Sequence, residues 1–200
     1  MAAASAAAVR RALVPIAAGS EEIEAVCLID TLRRAAFKVT VAGVGAEGAL
    51  TMSRGVKIVP DCTIDAAADE AAAEPFDLIL LPGGMPGAQS LADCDKLIDI
   101  LRSQRDAKRW YGAICAAPAV ALLPHGLLPE GRPATCHPAF ADKLPEAIRS
   151  EDRVVVDTDH RVITSRGPGT AIEMAIAAIA AIDGGERADS VAGPMLLSRG

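Results

Sequence analysis

The sequence predicts one doubly wound α/β domain built on a mostly parallel sheet. Short apolar runs alternate with longer helical stretches along the chain, the pattern of strands covered on both faces. With 200 residues, 51% of them hydrophobic, the chain can bury a core unaided. No internal repeat or linker interrupts it, so the domain is taken as residues 1–200, with 1–8 a short tail.

The elements follow in order. "ALVPIAA" (12–18) is the first strand, and Ser20 suits the N-cap of a helix over 21–36 whose first turn carries Glu21 and Glu22. Its apolar residues, Ile23, Val26, Cys27, Leu28, Ile29, Leu32 and Ala35, spread around most of the circumference, so it needs cover on two sides. A second copy of the chain is the simplest outer cover, and the C-terminal "VAGPMLLSRG" is the alternative. "KVTVAGV" (38–44) and "DLILLPGG" (77–84) read as core strands, and "VKIVP" (56–60) as an antiparallel addition. A helix over 90–108 precedes the strand "YGAIC" (111–115), and a helix over 116–123 follows it. "RVVVDT" (153–158) and "RVITS" (161–165), joined at Thr158-Asp159-His160, form an antiparallel pair before a helix over 170–183.

Composition narrows the function. A net charge of −6, with no long run of Lys and Arg, excludes an electrostatic grip on nucleic acid or an anionic membrane. Aromatic residues make up only 2%, too few for a base-stacking platform. Small molecules are the expected partners. The five cysteines, Cys27, Cys62, Cys94, Cys115 and Cys136, contain no C-x-x-C pair and fit a reducing compartment. That points to the cytoplasm, while the acid-free opening "MAAASAAAVRRA" leaves an organelle open and nothing excludes the nucleus. No apolar run reaches the ~20 residues of a membrane span. No His, Cys, Asp or Glu cluster has metal-ligand spacing, and neither G-x-G-x-x-G nor a P-loop is present, so no metal or cofactor is expected.

Four pieces carry chemistry. Ligands of open α/β sheets bind beyond the carboxyl ends of the strands, and Cys115 stands at such an end, on a strand-turn-helix bend. A helix N-terminus facing its sulfur would favour the thiolate. A buried structural thiol fits the same spacing equally well. Pro82-Gly83-Gly84 ends another strand with bare amides that could hold an oxyanion, although any tight turn would use these residues. Glu24 lies among apolar neighbours and could be a buried, protonated acid or base, with a surface carboxylate the alternative. His137, 22 residues after Cys115 (137 − 115), could pair with it or be a structural histidine.

Taken together in register, "RALVPIAAGSEEIEAV", "DTLRRAAFKVTVAG", "DLILLPGGMPGAQSL", "GAICAAP", "CHP" and "ITSRGPGTAIEMA" resemble the ThiJ/PfpI superfamily. Within it they resemble the branch of the human Parkinson-disease deglycase and the plant and algal glyoxalase III enzymes. The resemblance runs from about Ala8 to Leu197. It implies a flavodoxin-like sandwich and a homodimer. It also implies Cys115 as nucleophile, Glu24 as a protonated carboxyl beside the sulfur, His137 as proton shuttle, and the amides of Gly84 and Ala116 as oxyanion site. Gly83, Arg54, Pro168, Pro194 and an Arg34 reaching in from a second subunit would line the pocket. The implied activity is glutathione-independent conversion of methylglyoxal and glyoxal to lactate and glycolate, with a deglycase using the same opening step. A redox-sensing chaperone that oxidises Cys115 to a sulfinate is the alternative. The chain departs from this branch at Met52 and Val59, where further cysteines are common, at Ala117 for glycine, and at Cys136 beside His137.

Overall fold

A computed structural model describes residues 9–45 and 47–197. The predicted tail therefore lies outside the described residues. The strands are β1 (Arg11–Ala17), β2 (Lys38–Val44), β3 (Leu50–Thr51), β4 (Lys57–Ile58), β5 (Cys62–Thr63), β6 (Leu78–Leu81), β7 (Trp110–Ile114), β8 (Val154–Asp157) and β9 (Val162–Ser165). The helices are α1 (Glu22–Arg34), α2 (Ile64–Ala73), α3 (Gly87–Ala92), α4 (Asp95–Asp106), α5 (Ala171–Asp183) and α6 (Gly185–Ala192).

Seven strands form one sheet in the order β5-β2-β1-β6-β7-β9-β8, parallel throughout except for β8, which runs antiparallel to β9. The period of two along the central strands sorts the core into two layers. Leu13, Ile79 and Leu81 face the layer of α2, α3 and α4, whereas Val14, Ile16, Leu78 and Leu80 face that of α1, α5 and α6. This is the doubly wound, flavodoxin-like α/β arrangement that the alternating runs predict. No described helix is long and apolar enough to cross a membrane.

Local detail departs from the sequence reading where side chains override periodicity. Ser20 is not the N-cap of α1: its hydroxyl accepts from the Ala17 amide at 3.0 Å, and Glu21 caps the helix by accepting the Glu24 amide at 2.7 Å. The predicted 90–108 helix is two, α3 and α4, interrupted at Asp93 and Cys94. The predicted 116–123 helix is a turn followed by a π-helical stretch (Pro118–Leu122) and a 3-10 turn (Leu123–His125), because Pro118 and Pro124 cannot donate to an α-helical ladder. "VKIVP" contributes only β4, paired antiparallel with β3 in a ribbon apart from the main sheet. α2 turns Ile64, Ala67, Ala68 and Ala71 of the Ala-rich "IDAAADEAAA" to the core, and it is started by Thr63, whose hydroxyl accepts from Ala66 N. α6 follows α5 directly through Gly184 (φ 90°), a left-handed conformation that glycine adopts without strain.

The outer face of α1 stays open. Ile23 is 53% and Val26 48% exposed, although Met195 and Leu197 of the C-terminal segment are packed into the same helical layer.

Candidate active site

Three strand ends build the site. Cys115 directly follows β7 with φ +65°, a left-handed conformation uncommon for a residue with a side chain. The bend is fastened on both sides: Cys115 N donates to Ser165 O at 3.0 Å, and His137 N donates to Cys115 O at 2.8 Å. Beside it, β6 ends in Gly83 and Gly84. A Cβ on Gly83 would lie 2.6 Å from Cys115 Cβ, and one on Gly84 (φ +82°) 2.5 Å from Glu21 N, so only glycine lets these backbones meet. α1 then brings Glu24 beneath them. Gly83 N donates to Glu24 Oε2 at 2.7 Å, and Glu21 N donates to Gly83 O at 2.9 Å.

The result is a sulfur enclosed by polar groups in an otherwise apolar wall. Cys115 is only 9% exposed and Glu24 is fully buried. The carboxyl interacts with the thiol, yet this contact falls short of a full hydrogen bond, and Glu24 Oε1 is a buried oxygen without a partner. Burial pushes Glu24 up to about 7, helped by the charge of Glu21 and opposed by the Gly83 amide and the Cys115 thiol. Burial also pushes Cys115 up to about 12, and the charge and contact of Glu24 add to it, while the amides of Gly84 and Ala116 act the other way.

This corrects the expectation of a thiolate held by a helix dipole. A turn and a π-helical stretch do follow Cys115, but burial and the Glu24 charge outweigh the Gly84 and Ala116 amides at the sulfur. The ionisation of the sulfur is also tied to Glu24: once the acid carries its proton, the repulsion disappears and the thiol falls, with the two amides then set against burial alone.

The other sequence candidates are placed unequally. The main chain of His137 is fastened to Cys115, but its ring caps a 3-10 helix, with Nδ1 accepting from Ala139 N at 3.2 Å and Cδ2 facing Gly167. Nε2 therefore carries the proton of the neutral ring. Arg54 is exposed on the turn between β3 and β4, and Pro168 opens the 3-10 turn before α5. Arg34 is exposed and pairs with Asp30 at 2.6 Å. It stands ten residues beyond Glu24 on α1, roughly 15 Å along the axis, so it does not join the site of its own chain. Pro194 is exposed beyond α6.

Sequence reasoning missed the role of Glu22. Its carboxylate accepts from Ser53 Oγ at 2.7 Å, Arg54 N at 2.8 Å and Val56 N at 3.4 Å, fastening the Arg54 turn to α1. Burial opposes the charged form, but these donors outweigh it and leave Glu22 below the usual carboxylate range. The run "EEIE" was the available signal, read there only as dipole complementarity.

With this geometry in place, similarity to known proteins is decisive. The sequence signature of the DJ-1/PfpI family matches residues 10–181. The chain belongs to the DJ-1/PfpI family. It is 49% identical over 176 residues to protein DJ-1 homolog A of Arabidopsis thaliana, covering 88% of this chain and 43% of that protein. This chain thus spans less than half the length of its Arabidopsis relative. It is 37% identical over 182 residues to the glutathione-independent glyoxalase DJR-1.2 of Caenorhabditis elegans, covering 90% and 92% of the two chains. The solved structure of oxidized Toxoplasma gondii DJ-1 superposes with a TM-score of 0.90 at 41% identity, covering 96% of this chain and all of that one. As a DJ-1/PfpI member, the chain shares the flavodoxin-like α/β fold with these structures.

Proposed function

We propose that this protein is a glutathione-independent glyoxalase converting methylglyoxal and glyoxal to lactate and glycolate. One observation carries the reading: the Cys115 sulfur lies between a buried acid that titrates near neutrality and the two amides of Gly84 and Ala116. The name of the Caenorhabditis relative supports it.

The sulfur of Cys115 attacks the aldehyde carbon, forming an S–C bond. The thiol proton passes through Glu24 to the former carbonyl oxygen, which rests on the two amides as charge develops. Glu24, as the carboxylate, then takes the hydrogen of that carbon as a proton and returns it to the neighbouring carbonyl carbon by way of an enediol, leaving a thioester, with the Nε2–H of His137 as a proton donor to the oxygens. Water cleaves the S–C bond, releasing the hydroxy acid and restoring the thiol. Each turnover consumes one dicarbonyl and one water, with no external oxidant, reductant or cofactor. Early aldehyde adducts of protein or nucleotide amines could enter by the same first step, which is the basis of a deglycase activity.

A second copy of the chain, covering Ile23 and Val26 on α1, would supply Arg34 to the pocket mouth. Five free cysteines suit a reducing compartment such as the cytoplasm.

The decisive experiment is lactate formation from methylglyoxal without glutathione by the Cys115→Ser variant, its fold checked by circular dichroism. Turnover is abolished on this account, and retained turnover by a folded variant overturns it. The same two amides favour a second reading, in which two equivalents of hydrogen peroxide oxidise Cys115 in turn to the sulfenate and the sulfinate, each giving up one oxygen and leaving as water, and the sulfinate is held by Glu24 and the amides. Rapid oxidation of Cys115 seen by mass spectrometry, without dicarbonyl turnover in the reduced protein, is the outcome that selects it.

A further inference from the structure

The far end of the sheet carries a second site. β1, β6, β7 and β9 are adjacent and parallel, so the residues at their starts form one row: Arg10, Asp77, Arg109 with Trp110, and Arg161. These residues line a cavity of about 410 Å³, closed on its apolar side by Ala181 and Ile182 of α5, with Thr158 at its rim. It lies at the opposite end of β7 from Cys115, roughly 16 Å along the strand.

The arginines distinguish this cavity. Among the described residues every other arginine donates to a carboxylate or a carbonyl, as Arg132 does to Asp157 and Arg187 to Ala35 O. Arg109 and Arg161 donate to neither, and both face the same cavity. The charges around them do not neutralise them. Asp77 accepts the Arg11 amide at 2.8 Å and lies 3.5 Å from Arg10, while Asp183 holds Arg10 at 2.9 Å. Both acids are thus committed to the Arg10 wall. Arg161 is set by stacking, its guanidinium carbon 6.0 Å from the centre of the Trp110 ring. The Thr158 hydroxyl makes no hydrogen bond within the described residues.

Two unpaired guanidinium groups over one cavity suit an anion that offers several oxygens, because each planar fork can bond two of them. Phosphate does this with two negative charges, and a cavity of this size with one apolar wall leaves room for a short carbon chain. We propose that Arg109 and Arg161 form a binding site for the phosphate dianion of a small phosphomonoester, with Thr158 as a further donor and Ala181 and Ile182 against the organic part.

The test is calorimetric titration of the full chain with glycerol 3-phosphate and, separately, with inorganic phosphate, in a chloride buffer at pH 7.5. Saturable binding of the ester is expected, with inorganic phosphate weaker because it forgoes the apolar wall. Arg109→Gln and Arg161→Gln should each weaken binding by about tenfold or more, the loss of a charged hydrogen-bonding pair. Cys115→Ala should bind as the parent protein does, which separates this site from the dicarbonyl chemistry. The proposal is overturned by an absence of saturable binding, by binding that survives both arginine substitutions together in a protein with an unchanged melting profile, or by inorganic phosphate binding as tightly as the ester.

Discussion

Glu24 is a carboxyl held against its own electrostatic preference, fully buried beside Cys115. Its ordinary value of 4.5 rises to about 7 in the folded protein, so the folded state holds a proton that the unfolded chain releases between those limits. The associated stability is fully present below pH 4.5 and is lost as pH rises through 7, a penalty on the order of 3 kcal/mol once the group is charged. Glu24→Gln keeps an oxygen for the Gly83 amide and removes the charge. The variant should melt roughly 5–10 °C above the parent at pH 8, with the gap closing toward pH 4.5. Calorimetric melting across that range checks this, and a gap that does not change with pH contradicts it. Cys115 was legible in the sequence from its place at a strand end. Its protonation was not, because burial and the Glu24 contact join residues 91 positions apart (115 − 24) that no local pattern connects.

At the scale of elements, the site depends on turns packed backbone to backbone. A Cβ on Gly87 would lie 2.2 Å from Ser20 N, so the start of α3 and the turn before α1 can approach only through glycine. Gly87→Ala should lower stability by at least about 2 kcal/mol in urea unfolding and depress turnover by displacing Gly84 and Glu21. A variant unchanged in both would show that this approach is not required. Glu22→Ala leaves the hydroxyl of Ser53 and the amides of Arg54 and Val56 without their carboxylate acceptor, which should cost about 2–3 kcal/mol. Hydrogen exchange at residues 53–56 should accelerate in that variant while the sheet stays protected. The long core strands were legible because period-two burial and apolar runs are local signals. α2 was not, since its stripe of Ile64, Ala67, Ala68 and Ala71 is mostly alanine and contrasts weakly with the other face, and the π-helical stretch was not, since its departure from the α-helix turns on hydrogen bonds, including the one Pro124 cannot donate.

For the whole molecule, the two layers and the mostly parallel sheet follow from the alternation of runs, and α1 supplies an open apolar face. Its all-round apolar pattern predicts cover on two sides, and the fold provides only one, leaving Ile23 and Val26 exposed. Substituting both by Glu should convert a dimer into a monomer by light scattering. Turnover should fall with it, because Arg34 would no longer reach the neighbouring pocket. A monomer that retains full turnover would place the complete site in one chain. The row of arginines at the far sheet end was invisible in the sequence, where Arg10, Arg109 and Arg161 are scattered, and only the strand order brings them together.

The shared proton of Glu24 and Cys115 is tested most directly by the rate of iodoacetamide labelling at Cys115 against pH, followed by mass spectrometry in the parent protein and in Glu24→Gln. The parent should show a step near pH 7, where Glu24 titrates, and a second rise well into the alkaline range. Glu24→Gln should lose the step near 7 and show one transition, below about 12, because the carboxylate charge that raises the thiol is gone. A single transition at the same pH in both proteins would contradict the account.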